Sequence, residues 1–195
     1  MGAKESTGCS VPFAGPRFTE ELHLLPAIDD TVMETATLWH RVLNDPQLQD
    51  LPYKIETNEH GQIVLSPHKP QHGIRQSKVS DLLRDHATQA GTRAVEFAVE
   101  TTKGVKVPDV VWMSEERRAE MPDDAEASPV MPEVVVEVLS EGNTDAEIAE
   151  KRQLYLDEGA QEVWTCAGDG TMTFHDETGT IESSAVVPSF PREVE

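Results

Sequence analysis

Two carboxylates interrupt stretches of the chain that otherwise have the pattern of buried β-strands. Asp109 lies within residues 107–113 and Glu137 within residues 134–139, and both stretches are apolar without alternation and rich in β-branched residues. A buried ionised carboxylate is costly unless it is paired, neutralised or bound to a metal. One such acid on each of two predicted strands therefore suggests a shared cation.

The chemistry that suits this pair is hydrolysis assisted by a divalent metal. Mg²⁺ prefers oxygen ligands and commonly uses one or two carboxylates together with water and a substrate phosphate. Each acid also has a structural alternative. Asp109 could begin its strand and cap a turn after Pro108, and Glu137 could form a salt bridge with an arginine.

Lys151 is the third residue that could take part. In the helix predicted over residues 144–158 it is three residues after Ile148 and four before Tyr155, on the stripe expected to face the sheet. Its ammonium could reach a site at the strand ends, where it would orient or deprotonate water and stabilise charge on phosphorus. The alternative is a surface lysine paired with Glu147 one turn earlier.

The elements that must position these residues follow from the hydrophobic pattern. The order helix, hairpin, helix, three strands, helix, hairpin predicts a mixed sheet flanked by helices. Thr144 and Glu147 form a capping-box signature for the last helix, and Gly91 is the predicted stop of the second. The predicted elements span residues 34–43, 53–56 with 62–65, 71–89, 94–99, 107–113, 134–139, 144–158, and 162–166 with 171–175.

Length and composition predict one folded domain. Residues 1–32 have the composition of a flexible leader, an expression remnant or a mis-assigned start before Met33; residues 33–187 suit a single domain and residues 188–195 a C-terminal tail. No apolar run approaches the roughly 20 residues that span a bilayer, and no secretory signal pattern is evident, so we expect no membrane partner. Cys9 and Cys166 lie in unlike surroundings, which favours free thiols in a reducing cytoplasm.

The charge balance limits the class of partner. Sixteen basic and 36 acidic residues give a net charge of -20. This charge argues against broad, nonspecific binding of a nucleic-acid backbone, which needs a basic surface. It still allows a local basic cleft, or a site whose positive charge is supplied by Mg²⁺.

Several short motifs, taken in order, resemble the Uma2 family of the PD-(D/E)XK nuclease superfamily. Each motif alone is weak, but their order and spacing over about residues 34–176 are fairly specific. The matching stretches are Tyr53-Lys54-Ile55-Glu56 through Gly61 to Ser66-Pro67, then His72, Val107-Pro108-Asp109-Val110-Val111, residues 132–140, Glu150-Lys151-Arg152-Gln153-Leu154-Tyr155, and residues 159–164.

The resemblance implies a restriction-endonuclease-like α/β/α core and Mg²⁺-dependent hydrolysis of DNA, with Mn²⁺ as an alternative ion. It implies Asp109 and Glu137 as metal ligands and Lys151 as the catalytic lysine. In the superfamily pattern the lysine stands two residues after the second acid, where this chain has Leu139. Lys151, on the following helix, would take its place.

Two further residues have supporting roles in the resemblance. Glu56 matches an acid of the family's first hairpin and would be a supporting ligand; its alternative is an exposed strand residue. His72 follows the Ser-Pro of the hairpin and could reach the cleft or start the helix.

Two expectations concern the whole protein. A homodimer is expected, because cleavage of both DNA strands by a one-site nuclease usually needs two protomers. The open alternative to an enzyme is a catalytically inactive nuclease-fold module for interaction or regulation, which the acidic charge favours. An enzyme acting on a small phosphorylated substrate is a third class, with no sequence signal of its own.

Overall fold

A six-stranded mixed sheet forms the centre of the fold in the computed structural model, which describes residues 35–67 and 69–195. The proposed leader, residues 1–32, lies outside the described residues. The elements in chain order are α1 (Thr35–Asn44), β1 (Tyr53–Thr57), β2 (Ile63–Pro67), α2 (Pro70–His86), β3 (Gly91–Val95), β4 (Val99–Thr101), β5 (Gly104–Lys106), β6 (Val110–Ser114), α3 (Glu115–Glu120), β7 (Val134–Val138), α4 (Asp145–Asp157), β8 (Glu162–Cys166), β9 (Met172–Asp176) and β10 (Gly179–Ile181).

The strand order of the main sheet places the two apolar strands side by side. The order is β10-β9-β8-β7-β6-β3, in which β7 and β8 are parallel and every other neighbouring pair is antiparallel. In the β6–β7 pair Val110 lies opposite Val136. Two separate hairpins, β1–β2 and β4–β5, complete the strands.

Helices cover both faces of this sheet, which explains why β6 and β7 are apolar without alternation. Residues alternate between two hydrophobic clusters, as the two-residue period of a strand requires. The cluster on the α2 face includes Val79, Leu83, Val110, Trp112, Val134, Val136 and Val138, and the cluster on the α4 face includes Val111, Val135, Tyr155 and Val163. The predicted fold class, a mixed sheet flanked by helices, is confirmed.

The end of the chain belongs to the α2-face cluster. Val187, Phe190 and Val194 are buried there, next to Trp164. The backbone just before these residues is held by buried Glu162, whose carboxylate accepts hydrogen bonds from the amides of Ala185 and Val186. The segment 188–195, set apart by sequence as a tail, thus contributes two side chains to the core.

Two predicted boundaries around β3 are wrong. The second helix ends at His86, and Gly91 begins β3 instead of stopping the helix. A Cβ atom at Gly91 would lie 2.5 Å from the Met113 carbonyl oxygen, so the glycine permits close approach of β6. The strand predicted over 94–99 is broken because Glu96 has a positive φ of 50°, which separates β3 from β4.

The start of α4 is as predicted. The Thr144 side chain accepts a hydrogen bond from the Glu147 amide, while the Glu147 carboxylate accepts one from the Thr144 amide, completing the capping box. Gly159 follows the helix with a φ of 104°. None of the helices in the described part of the chain has the length and apolar composition needed to cross a membrane.

Candidate functional site

Asp109 and Glu137 lie at one end of the sheet, where they line a cavity of about 1010 Å³. Asp109 directly precedes β6, and Glu137 is the penultimate residue of β7. Because β6 and β7 are antiparallel neighbours, the start of one strand adjoins the end of the other. The β1–β2 hairpin, the first turn of α2 and the start of α4 surround the opening.

Asp109 is only 1 % exposed, and each of its oxygens accepts hydrogen bonds. Its Oδ1 lies 2.6 Å from Lys54 Nζ, 3.1 Å from Gln76 Nε2 and 3.1 Å from His72 Nε2. Its Oδ2 accepts a hydrogen bond from the Val138 amide at 2.6 Å. Burial alone would raise the pKa of this carboxyl, but the hydrogen bond from His72 and the charge of Lys54 lower it, so Asp109 is ionised.

Glu137 accepts hydrogen bonds from two side chains and forms an ion pair with a third. Its Oε1 accepts a hydrogen bond from the Tyr155 hydroxyl at 2.8 Å and lies 3.3 Å from Lys151 Nζ. Its Oε2 lies 3.7 Å from Lys54 Nζ. Burial and the Glu137 charge raise the pKa of Tyr155 well above its ordinary value, so its hydroxyl remains a hydrogen-bond donor.

Glu56 joins the same group from β1. It is 5 % exposed, and its Oε1 accepts hydrogen bonds from the Val107 amide at 3.0 Å and from Lys151 Nζ at 3.0 Å. Burial opposes its ionisation, but the charges of Lys151 and Lys54 lower its pKa. The alternative of an exposed strand residue is therefore wrong for Glu56.

Lys151 reaches inward from α4. Among the described ion pairs it contacts Glu56 and Glu137, whereas the Glu147 carboxylate caps the helix start. Burial works against its charge, but the carboxylates of Glu137 and Glu56 outweigh burial and raise its pKa. Its side chain is 27 % exposed, so the ammonium remains open to the cavity that it lines.

Three residues of this site were not singled out from sequence: Lys54, Gln76 and Tyr155. A signal for Lys54 was present, because the two-residue period of β1 puts it on the same face as Glu56. Tyr155 shares the inward stripe of Lys151, one turn further along α4. Gln76 has no such signal, since its contact with Asp109 depends on how α2 packs on the sheet.

The donor chemistry of the site fits a hard divalent cation. Asp109 and Glu137 offer carboxylate oxygens, and Mg²⁺ commonly takes one or two of these with water and phosphate completing its shell. The Lys54 ammonium, within 4 Å of both carboxylates, shows that one cation can contact the two together. A preformed set of three or more His, Cys, Asp or Glu ligands is absent from the described ranges 35–67 and 69–195.

The cavity wall mixes basic and acidic side chains. Among the described residues, six basic ones line it (Lys54, Lys69, Arg75, Lys103, Lys106 and Lys151), together with seven acidic ones (Glu56, Glu59, Asp109, Glu137, Glu141, Glu147 and Glu150). Arg75 donates to the Gly168 carbonyl and Lys106 to the Thr57 carbonyl, and neither has a carboxylate partner among the described ion pairs. These two cations could meet phosphate groups without first losing an ion pair.

Comparisons with known proteins point to a nuclease family. The sequence model of the Uma2 family, described as "Putative restriction endonuclease", matches residues 45–190. A 1.96 Å crystal structure from Anabaena variabilis ATCC 29413, described as "a putative nuclease belonging to DUF820", is similar with a TM-score of 0.56 and 17% identity, covering 65% of this chain and 74% of that one. At this identity the likeness supports the fold alone. No curated protein matches the chain.

Proposed function

The chain belongs to the Uma2 family, and we propose that it is a Mg²⁺-dependent endonuclease that hydrolyses DNA phosphodiester bonds, with Mn²⁺ as an alternative ion. The observation that carries this proposal is the convergence of Asp109, Glu137 and Lys151 at the floor of one cavity. Those three side chains come from separate elements, and the resemblance assigns them the acid, acid and lysine roles of a nuclease.

In this proposal Asp109 and Glu137 hold the metal ion. A divalent ion bound there would supply Lewis-acid polarisation of the scissile phosphate and lower the pKa of a water molecule. Tyr155 orients the Glu137 carboxylate by donating to Oε1, and the Val138 amide orients Asp109 through Oδ2. These two hydrogen bonds fix the orientation of the carboxylate oxygens that would bind the ion.

Lys151 acts as a charged donor. Because the carboxylates of Glu137 and Glu56 raise its pKa, Lys151 carries a positive charge in the metal-free protein. Its ammonium is positioned to donate a hydrogen bond to a phosphate oxygen, where negative charge grows during hydrolysis. Glu56 holds the ammonium in that position and is the supporting residue of the site.

Substrate binding would be confined to the cavity. Most of the surface of a chain with a net charge of -20 repels a phosphate backbone. Arg75 and Lys106 would contact phosphates beside the scissile bond, which makes binding local and dependent on salt. His72, which contacts Asp109, would support the site from α2.

A plasmid assay tests the proposed activity. Supercoiled plasmid incubated with the protein and Mg²⁺ or Mn²⁺ should be nicked to the open-circular form, and EDTA should prevent nicking. Absence of nicking with either ion, under low-salt conditions that favour binding, would contradict the proposal.

A catalytically inactive module for interaction or regulation is the second candidate. The observation that favours it is the ion pairing of the acids, since Lys54 contacts both proposed ligands. Calorimetric titration with Mn²⁺ separates the two functions. Binding that Asp109→Asn abolishes supports the enzyme, whereas the absence of binding supports the module. A homodimer and a cytoplasmic location stay predictions from sequence.

A further inference from the structure

Lys54 occupies the space between the two proposed metal ligands. Its Nζ lies 2.6 Å from Asp109 Oδ1 and 3.7 Å from Glu137 Oε2. The side chain is 8 % exposed, and among the described ion pairs Lys54 alone contacts both acids. A metal ion bound to both carboxylates would need ligand oxygens within about 2.0–2.6 Å, which is the space that the ammonium fills.

The charges of the cluster also oppose joint occupancy by Lys54 and a metal. Three carboxylates (Asp109, Glu137 and Glu56) and two ammonium groups (Lys54 and Lys151) leave one net negative charge, apart from His72, which contacts Asp109 and adds a charge only when protonated. A divalent ion added to this buried set would make it net positive. Exchange of the Lys54 ammonium for the ion would leave it neutral, which is the less costly arrangement in a poorly solvated site.

We propose that Lys54 is a resident cation that holds the metal position in the metal-free protein and must leave it before a divalent ion can bind. The residue already lines the cavity, which has room for its displaced side chain. Lys54 therefore sets the ion concentration at which the site fills. The inference rests on the proposed function in one respect, the assignment of Asp109 and Glu137 as ligands.

The first test compares Mn²⁺ affinity in two variants by calorimetry and by electron paramagnetic resonance of free Mn²⁺. Lys54→Met should bind Mn²⁺ more tightly than the wild type, by about tenfold or more, because the ion no longer has to displace a paired ammonium and tenfold corresponds to only about 1.4 kcal/mol. Lys69→Met is the matched control, because Lys69 lies at the rim of the same cavity and pairs with Glu141. It removes one positive charge without touching either ligand and should change the affinity far less.

The second test needs no variant of the site, so it remains valid if Lys54→Met does not fold. It shows whether the Lys54 ammonium leaves the metal position when Mn²⁺ binds. Wild-type protein is treated with acetic anhydride with and without saturating Mn²⁺, and acetylation of each lysine is measured by peptide mass spectrometry. Lys54 should be protected without the ion and labelled when Mn²⁺ is present. Lys78, which contacts the terminal residue Glu195 away from the cavity, should be labelled equally in both.

Failure of this inference and failure of the proposed function give different results. If folded Lys54→Met binds Mn²⁺ no more tightly than the wild type, or if Mn²⁺ leaves Lys54 labelling unchanged, Lys54 does not hold the metal position. Plasmid nicking by the wild type would survive either result. If Lys54→Met gains affinity but the wild type never nicks plasmid, the inference stands and the enzymatic function fails.

Discussion

Lys151 Nζ lies 3.0 Å from Glu56 Oε1, although the two residues are 95 positions apart in the chain. This contact joins α4 to the β1–β2 hairpin across the floor of the cavity. Lys151 also contacts Glu137 on β7, so one ammonium connects three elements. The site therefore depends on the tertiary packing of the hairpin and α4 at the end of the central sheet.

Removal of either proposed ligand should abolish nicking. Asp109→Asn and Glu137→Gln keep the side-chain shape but remove the charge, and we expect activity to fall by at least about 100-fold, since loss of a single transition-state-stabilising group costs roughly 10²–10³. Nicking rates at saturating Mg²⁺ measure the effect. Asp85→Asn is the control, because Asp85 is an exposed residue of α2 that pairs with Arg84.

Lys151→Met should separate catalysis from metal binding. Nicking is expected to fall by roughly 100-fold, because the variant loses the donor that faces the phosphate. Mn²⁺ binding should be retained, because Asp109 and Glu137 both remain. Near-wild-type nicking by a folded Lys151→Met variant would remove the lysine from the mechanism, and circular dichroism checks the fold.

Tyr155→Phe should lower stability without an effect on overall structure. The hydroxyl donates to buried Glu137 Oε1, and a hydrogen bond to a charged group is worth about 1.5–3 kcal/mol. Urea denaturation in EDTA should show a loss of that size in the free energy of unfolding. Tyr53→Phe is the matched control, since Tyr53 is 41% exposed on β1, and a comparable loss there would contradict the assignment.

Acid should destabilise the metal-free protein through the site carboxylates. The folded protein lowers the pKa of Asp109 below 3.8 and that of Glu56 below 4.5. The unfolded chain therefore binds more protons as the pH falls through this range, so the stabilisation is complete above roughly pH 5 and is lost progressively below it. Urea denaturation from pH 6 to pH 3 measures the decline.

The variant Asp109→Asn isolates one contribution to that decline. Its free energy of unfolding should be lower than that of the wild type at pH 6, and the two values should approach each other as the pH falls. A gap between the two proteins that stays constant down to pH 3 would show that Asp109 is not a source of the acid sensitivity.

Sequence alone predicted the strands β6 to β9 and the helices α2 and α4, because local patterns define them, but it did not predict β10 or the β4–β5 hairpin. Each of these patterns predicts the structure of the few residues that carry it. They are the apolar stretches at β6 and β7, the capping box at Thr144 and the hairpins flanked by turn residues. The inward stripe of α4 likewise pointed to Lys151. The predictions failed where a long-range contact decided the local structure, as at Gly91, whose absent side chain accommodates Trp112 and Met113.

The partners of the acids were harder to predict for the same reason. Two buried carboxylates indicate that a cation compensates their charge, but the hydrophobic pattern does not identify that cation. The cation is Lys54, which approaches Asp109 from 55 positions away, and the hairpin that carries it forms its own two-stranded sheet. Hydrophobic periodicity does not fix where such a hairpin docks.

The most direct test of the account is a crystal structure of the protein soaked in Mn²⁺, with anomalous scattering used to locate the ion. We predict one peak within about 2.0–2.6 Å of carboxylate oxygens from both Asp109 and Glu137, with the Lys54 ammonium moved out into the cavity. A structure at saturating Mn²⁺ in which Lys54 still bridges the two carboxylates, and the ion lies elsewhere or is absent, would contradict the account.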